Sequence, residues 1–170
     1  MTGDGQGRPT GYSPVQAGLH WGIAALICFQ LLVHRGMERD FDTRVDTGAA
    51  VLSLPVLVHA AVGTVILALT VWRLGLLWRR GSPAPPANTP VVVHVMGKLT
   101  HAGLYGLVIA LPLSGSFAWA LQSERAAELH ELAQWALFWL VLLHALGAFF
   151  EHVVLRNEVL IRILMPLRLP

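Results

Sequence analysis

The chain has 170 residues, 55% of them hydrophobic and 13% charged, with a formal net charge of +2 and a mean hydropathy of +0.59. A water-soluble domain of this length needs far more charge to stay dissolved, so the composition excludes a soluble enzyme or regulator. The pI near 9.2 does not read as a nucleic-acid surface, because the basic residues fall in loops and at the ends of apolar runs, where they serve as topology signals.

Four stretches carry no Asp, Glu, Lys or Arg: 9–34, 47–72, 99–123 and 132–150. Each supplies about 20 apolar residues, enough to cross a hydrocarbon layer of about 30 Å. They predict an all-α, integral membrane four-helix bundle, up-down-up-down, forming a single domain over 1–170. In chain order, MTGDGQGRPTGYSP has no basic region running straight into an apolar one and reads as a polar tail rather than a signal peptide. The first helix is expected over about 15–34. RGMERDFDTRVD, of mixed sign, reads as a loop. The second helix is expected over about 54–77, with Pro55 acceptable in its first turn. RRGSPAPPANTP is a proline-rich connection that cannot be helical throughout. The third helix is expected over about 97–121, and a short loop with Glu124, Arg125 and Glu128 leads to the fourth, about 130–154. The tail carries Arg156, Arg162 and Arg168.

The basic residues set an orientation. Arg8, Arg73, Arg79, Arg80, Lys98, Arg156, Arg162 and Arg168 fall on one side, against Arg35, Arg39, Arg44 and Arg125 on the other. Eight against four places both termini in the cytoplasm by the positive-inside rule.

Eight histidines are many for so apolar a chain, and an ionisable residue in a membrane helix is by default a functional candidate. At about 1.5 Å per residue, His20 lies roughly 5–8 Å inside the cytoplasmic edge and His59 roughly 5 Å inside the outer one. His130 falls at the outer edge. His144, 14 residues on, lies about 21 Å further in and within about 40° of the same helix face. The fourth helix therefore offers two imidazoles at two depths, each with a candidate partner from another helix: His59 outside, His20 inside. Two histidines on opposing helices form an axial pair for a haem iron. Gly63 and Gly147 remove bulk where a flat macrocycle would lie, although small residues in membrane helices also serve plain packing.

Depth alone leaves other assignments open. His34 lies at the outer level and His101 at the inner one. His94 is expected solvated in the cytoplasmic connection, and His152 interfacial at the inner end of the fourth helix. A lone membrane histidine can simply hydrogen-bond a neighbouring helix. A zinc or copper site is a weaker alternative, since such sites gather three or four ligands, with Glu128 and Glu131 the nearest acids to the outer layer. The tryptophans, mostly at helix ends, read as interfacial anchors. Cys28 is the only cysteine, so no intramolecular disulfide and no C-x-x-C-H haem attachment is possible.

Four stretches together resemble the prokaryotic cytochrome b561 family: LHW at 19–21, VHAAVGTVILALTVWRLGLLWR from Val58, KLTHAGLYGLVIALPLSG at 98–115, and LHELAQWALFWLVLLHALGAFFEHVVLRNEVLIRIL at 129–164. With their spacing they cover nearly the whole chain. The resemblance implies a bundle in the bacterial inner membrane holding two haem b groups. His20 and His144 match the ligands of the cytoplasmic-side haem, His59 and His130 those of the outer one, and His34 and His101 are not ligands. It also implies electron transfer across the membrane, with superoxide as one donor and ubiquinone as acceptor. A quinone site is expected among Lys98, Glu151, His152 and Arg156, and the basic residues Arg73, Arg79, Lys98 and Arg156 are either partners for haem propionates or quinone oxygens or simply topology signals. Relatives often show a His-His pair where this chain has Glu151-His152, so part of that environment differs. Two rival readings stand beside this one: an electron-relay cytochrome b subunit that anchors a separate dehydrogenase as its redox partner, and a metal-binding bundle without haem.

Overall fold

The structure is a computed structural model and describes residues 11–33, 35–49, 52–83, 86 and 89–166. Six helices follow in order: α1 (Pro14–Leu32), α2 (Arg35–Thr47), α3 (Leu54–Arg80), α4 (Val91–Leu121), α5 (Glu124–Val153) and α6 (Val159–Leu164). There is no strand among the described residues. Four of the helices, α1, α3, α4 and α5, are long and apolar enough to cross a membrane, and the chain is an all-α, multi-pass four-helix membrane bundle.

Local sequence explains most of the helix ends. Ser13 and Gln16 form a reciprocal capping box at the start of α1, with Pro14 in the first turn, where its missing N–H costs nothing. Ser53 caps α3 and also donates to the carboxylate of Asp40, which ties α2 to the next membrane helix. α3 stops at Gly81, whose φ of +73° is disfavoured for any residue with a Cβ. Pro112 lies inside α4, and the Ser116 hydroxyl donates to its carbonyl at 2.7 Å.

Three segments differ from the sequence expectation. RGMERDFDTRVD is not a loop; with Thr47 it is α2, whose Met37, Phe41 and Val45 recur every four residues and so share one face. Phe41 lies 6.2 Å from the Trp119 ring, while Arg44 stands over that ring at 5.2 Å and donates to the Trp119 carbonyl. α4 begins at Val91 rather than 97, because Pro90 can precede a helix and nothing after it breaks one; His94 is thus helical and half-buried rather than in an open connection. α5 begins at Glu124 rather than 130, capped by Ser123, whose hydroxyl accepts from the Ala126 N–H. His130 is therefore nearly two turns inside its helix, not at its edge.

The bundle interior is ordered by register. The buried apolar cluster includes Ile27, Ile66, Val108 and Leu137, one residue from each membrane helix. Each lies seven residues from a histidine of its own helix, His20, His59, His101 and His130 respectively, and Leu137 is also seven from His144. Two helical turns separate each from its histidine, so an apolar plug sits midway between two polar layers. α5 lies close along α4, whereas its close backbone approaches to α1 and α3 are sparse. It is across those wider gaps that its histidines meet their partners.

Candidate functional site

The outer layer joins α3 to α5. The His59 and His130 rings have centroids 6.3 Å apart with planes at 68°. The main-chain oxygen of His59 accepts from the Gln30 side chain of α1 at 3.0 Å. Ser114 of α4 gives its single hydroxyl proton to the Leu111 carbonyl and stands 3.1 Å from Nδ1 of His130. With that proton so placed, the hydroxyl oxygen is free to accept from Nδ1 in the tautomer that leaves the Nε2 lone pair unoccupied. Gly115 makes this possible. A Cβ at that position would lie 2.9 Å from Cε1 of His130, so only glycine lets α4 approach so closely. Both rings line a cavity of about 690 Å³, within the size range of organic-ligand sites. Gly63 lines it as well, 3.6 Å from the Gln30 amide nitrogen once a Cβ is added.

The inner layer joins α1 to α5. His20 and His144 have ring centroids 6.1 Å apart with planes at 71°. His101 of α4 is closer to His144, at 4.9 Å, and its Nδ1 donates to the Gly97 carbonyl at 2.7 Å. Gly147, expected to clear room beside His144, faces open space. Trp21 donates to the Ile163 carbonyl, which pins α6 beneath this layer.

One basic residue, expected either as a topology signal or as a partner for a haem propionate or quinone oxygen, belongs here too. Arg73 is only 8% exposed. Its Nε donates to the Tyr105 hydroxyl at 3.0 Å and its Nη1 to the Gln16 carbonyl at 2.7 Å. A signal did exist: Arg73 follows His59 by the same 14 residues that separate His144 from His130. Tyr12, just before α1, lies in the same neighbourhood, and burial pushes its phenol above the ordinary value.

The expected quinone residues fall at the inner end. Glu151 and His152 are half-buried at the close of α5, and Arg156 is exposed in the turn to α6 with φ of +52°. The turn is held by the Asn157 N–H on the Glu151 carbonyl, by His152 Nδ1 at 3.4 Å from the Asn157 carbonyl, and by the Asn157 amide on Thr89. Lys98 stands apart on an exposed face of α4. His34, the alternative outer ligand, lies outside the described residues.

Two imidazoles that share an iron place their ring centres about 6 Å apart, given metal–nitrogen bonds of about 2 Å and about 1 Å from each nitrogen to its ring centre. Both inter-helix pairs, at 6.1 and 6.3 Å, fit that spacing; the His101–His144 pair, at 4.9 Å, is too close. No group of three or more His, Cys, Asp or Glu suited to a bare metal ion is found among the described residues. Fold and site together define a membrane bundle of the b-type cytochrome class. The family model for prokaryotic cytochrome b561 matches residues 11–165, and the chain belongs to that family. It is also similar to a cytochrome b562 of Cereibacter sphaeroides, with 34% identity over 160 residues, 92% of this chain and 96% of the relative. Membership implies haem b, electron transport, a lipid environment and redox partners.

Proposed function

We propose that the chain is a dihaem cytochrome of the bacterial inner membrane that carries electrons from a donor on the outer side to ubiquinone near the cytoplasmic side. In this reading His59 and His130 hold the outer haem b, His20 and His144 hold the inner one, and both termini are cytoplasmic. The observation that carries it is the spacing of the two inter-helix ring pairs, 6.3 and 6.1 Å, each across a gap where α5 is not closely packed. The haems supply the one-electron ferric/ferrous couple. The chain's own residues do the rest. Ser114, 3.1 Å from Nδ1 of His130, would hold that ring in the tautomer with Nε2 free to ligate, the usual task of an outer-shell partner. The plug of Ile27, Ile66, Val108 and Leu137 excludes water between the layers. Glu151, His152, Arg156 and Lys98, at the inner end, offer hydrogen bonds to a quinone head group entering from the bilayer.

Superoxide is the small donor proposed from the family resemblance. One observation favours the relay reading beside it. Glu38, Asp42, Glu124, Glu128 and Glu131 line the outer cavity, with no lysine or arginine among its described lining residues, and Arg44 is occupied at Trp119. An anion meets a repulsive field there, whereas a redox partner with a basic surface meets an attractive one. Stopped-flow mixing decides between them. Under the enzyme reading, superoxide reduces the purified protein, ubiquinone reoxidises it, and Glu151→Ala or Arg156→Ala slows only reoxidation. Haems that stay oxidised with superoxide but are reduced by a co-purifying dehydrogenase select the relay.

A further inference from the structure

The charges around the two histidine layers have opposite signs: a buried arginine at the inner layer, and exposed carboxylates around the cavity of the outer one. At the inner layer, Arg73 is buried and its hydrogen-bond partners are neutral: a phenol and a main-chain carbonyl. No carboxylate pairs with it among the described residues. Its position is fixed by two helices at once. Gln16 lies one turn before His20 on α1, and Tyr105 one turn after His101 on α4. The guanidinium is thereby held about one helical turn from the inner rings. At the outer layer the cavity that contains His59 and His130 is lined by five carboxylates and no described cation.

Reducing a haem iron adds one electron. A cation nearby stabilises the reduced form and raises its potential, carboxylates lower it, and both effects grow in the low dielectric of a membrane interior. We infer that the buried Arg73 guanidinium at the inner layer and the carboxylates of the outer cavity set the two haem potentials apart, making the inner site the higher-potential one and Arg73 the residue that directs electrons toward the cytoplasmic side. This rests on the dihaem reading above. Arg73 touches no reacting atom in this account; it acts by its field, as a positioning charge for the electron.

Equilibrium redox titration of the purified holoprotein, followed optically, tests this without any turnover. The unsubstituted protein should show two one-electron waves. His59→Ala should leave only the upper wave and His20→Ala only the lower. Arg73→Gln should lower the upper wave by at least tenfold in the electron distribution, about 59 mV for a one-electron couple, and Arg73→Lys should restore most of it. Glu38→Gln combined with Asp42→Asn should raise the lower wave by less, because those side chains are exposed and screened. The inference is overturned if the inner site owns the lower wave, or if Arg73→Gln leaves the upper wave in place. If Arg73→Gln fails to retain the inner haem, wave order together with the acid double variant decides it. Fewer than two haems in the unsubstituted protein, visible before any titration, overturns the dihaem reading itself and this inference with it.

Discussion

The outer and inner layers are made by the same four helices in the same register, yet their surroundings differ. α5 contributes His130 outside and His144 inside; α3 contributes His59 and, 14 residues later, Arg73; α4 contributes Gly115 and, 14 residues earlier, His101. One layer is covered by the amphipathic α2 and rimmed with carboxylates. The other holds a buried arginine between two neutral acceptors. The pair spacing is nearly equal, 6.3 against 6.1 Å. Helix register therefore suffices to build two similar imidazole pairs, and the positions that are not histidine make the two sites chemically unlike.

The largest effects should come from breaking one pair while the other stands. His59→Ala or His130→Ala should remove the outer haem alone, and His20→Ala or His144→Ala the inner one alone, read as loss of half the haem absorbance. His34→Ala and His101→Ala should keep both. Loss of a haem from His101→Ala, with both retained in His20→Ala, would reverse the inner pairing.

Next comes the close approach of α4 to His130. Gly115→Val places branched carbon where even a Cβ lies 2.9 Å from the ring, so the outer haem should be lost or weakly held while the inner one persists; the strain is about 1–3 kcal/mol. Gly147→Ala, with nothing within 4 Å of the added Cβ, is the matched control and should bind both. Equal haem loss in the two variants would show that the tight contact has no particular bearing on the outer layer.

A smaller effect is expected at α2. Arg44→Ala removes the ring contact and the hydrogen bond to Trp119, worth about 1 kcal/mol together. Faster amide exchange should follow in α2 only, with α6 and the inner layer unchanged.

The smallest concerns Tyr12. Burial raises its phenol above the ordinary value of 10.0, so the folded chain holds that proton more tightly than the unfolded chain does. Its contribution to stability is then complete below pH 10 and declines as the pH rises past it. Tyr12→Phe should flatten the fall in melting temperature above pH 10, and an unchanged slope would place the titration elsewhere.

Sequence revealed the bundle because its signal is coarse: four uncharged runs long enough to span a bilayer leave little choice of fold. The candidate histidines were equally legible, since depth along a regular helix follows from counting residues. Polar stretches were misread where charge masked periodicity. The four-residue recurrence of Met37, Phe41 and Val45 was present in RGMERDFDTRVDT, but its acids and arginines suggested a loop. Ser123 and Pro90 were helix starts hidden among residues common in turns. Arg73 was legible only in part, as a topology signal or as a partner for a haem propionate or quinone oxygen. A basic residue toward the end of an apolar run ordinarily marks topology; its 14-residue offset from His59 hints at an inward face, and its bonds to Tyr105 and Gln16 on two other helices establish it.

The central claim is that two inter-helix imidazole pairs each hold a haem b, and it is tested most directly by haem stoichiometry. Acid acetone should extract all the haem, since the chain has no cysteine pair to hold it. A pyridine haemochrome assay on the purified chain should then return two haems b per chain. One haem, or none, would contradict the account.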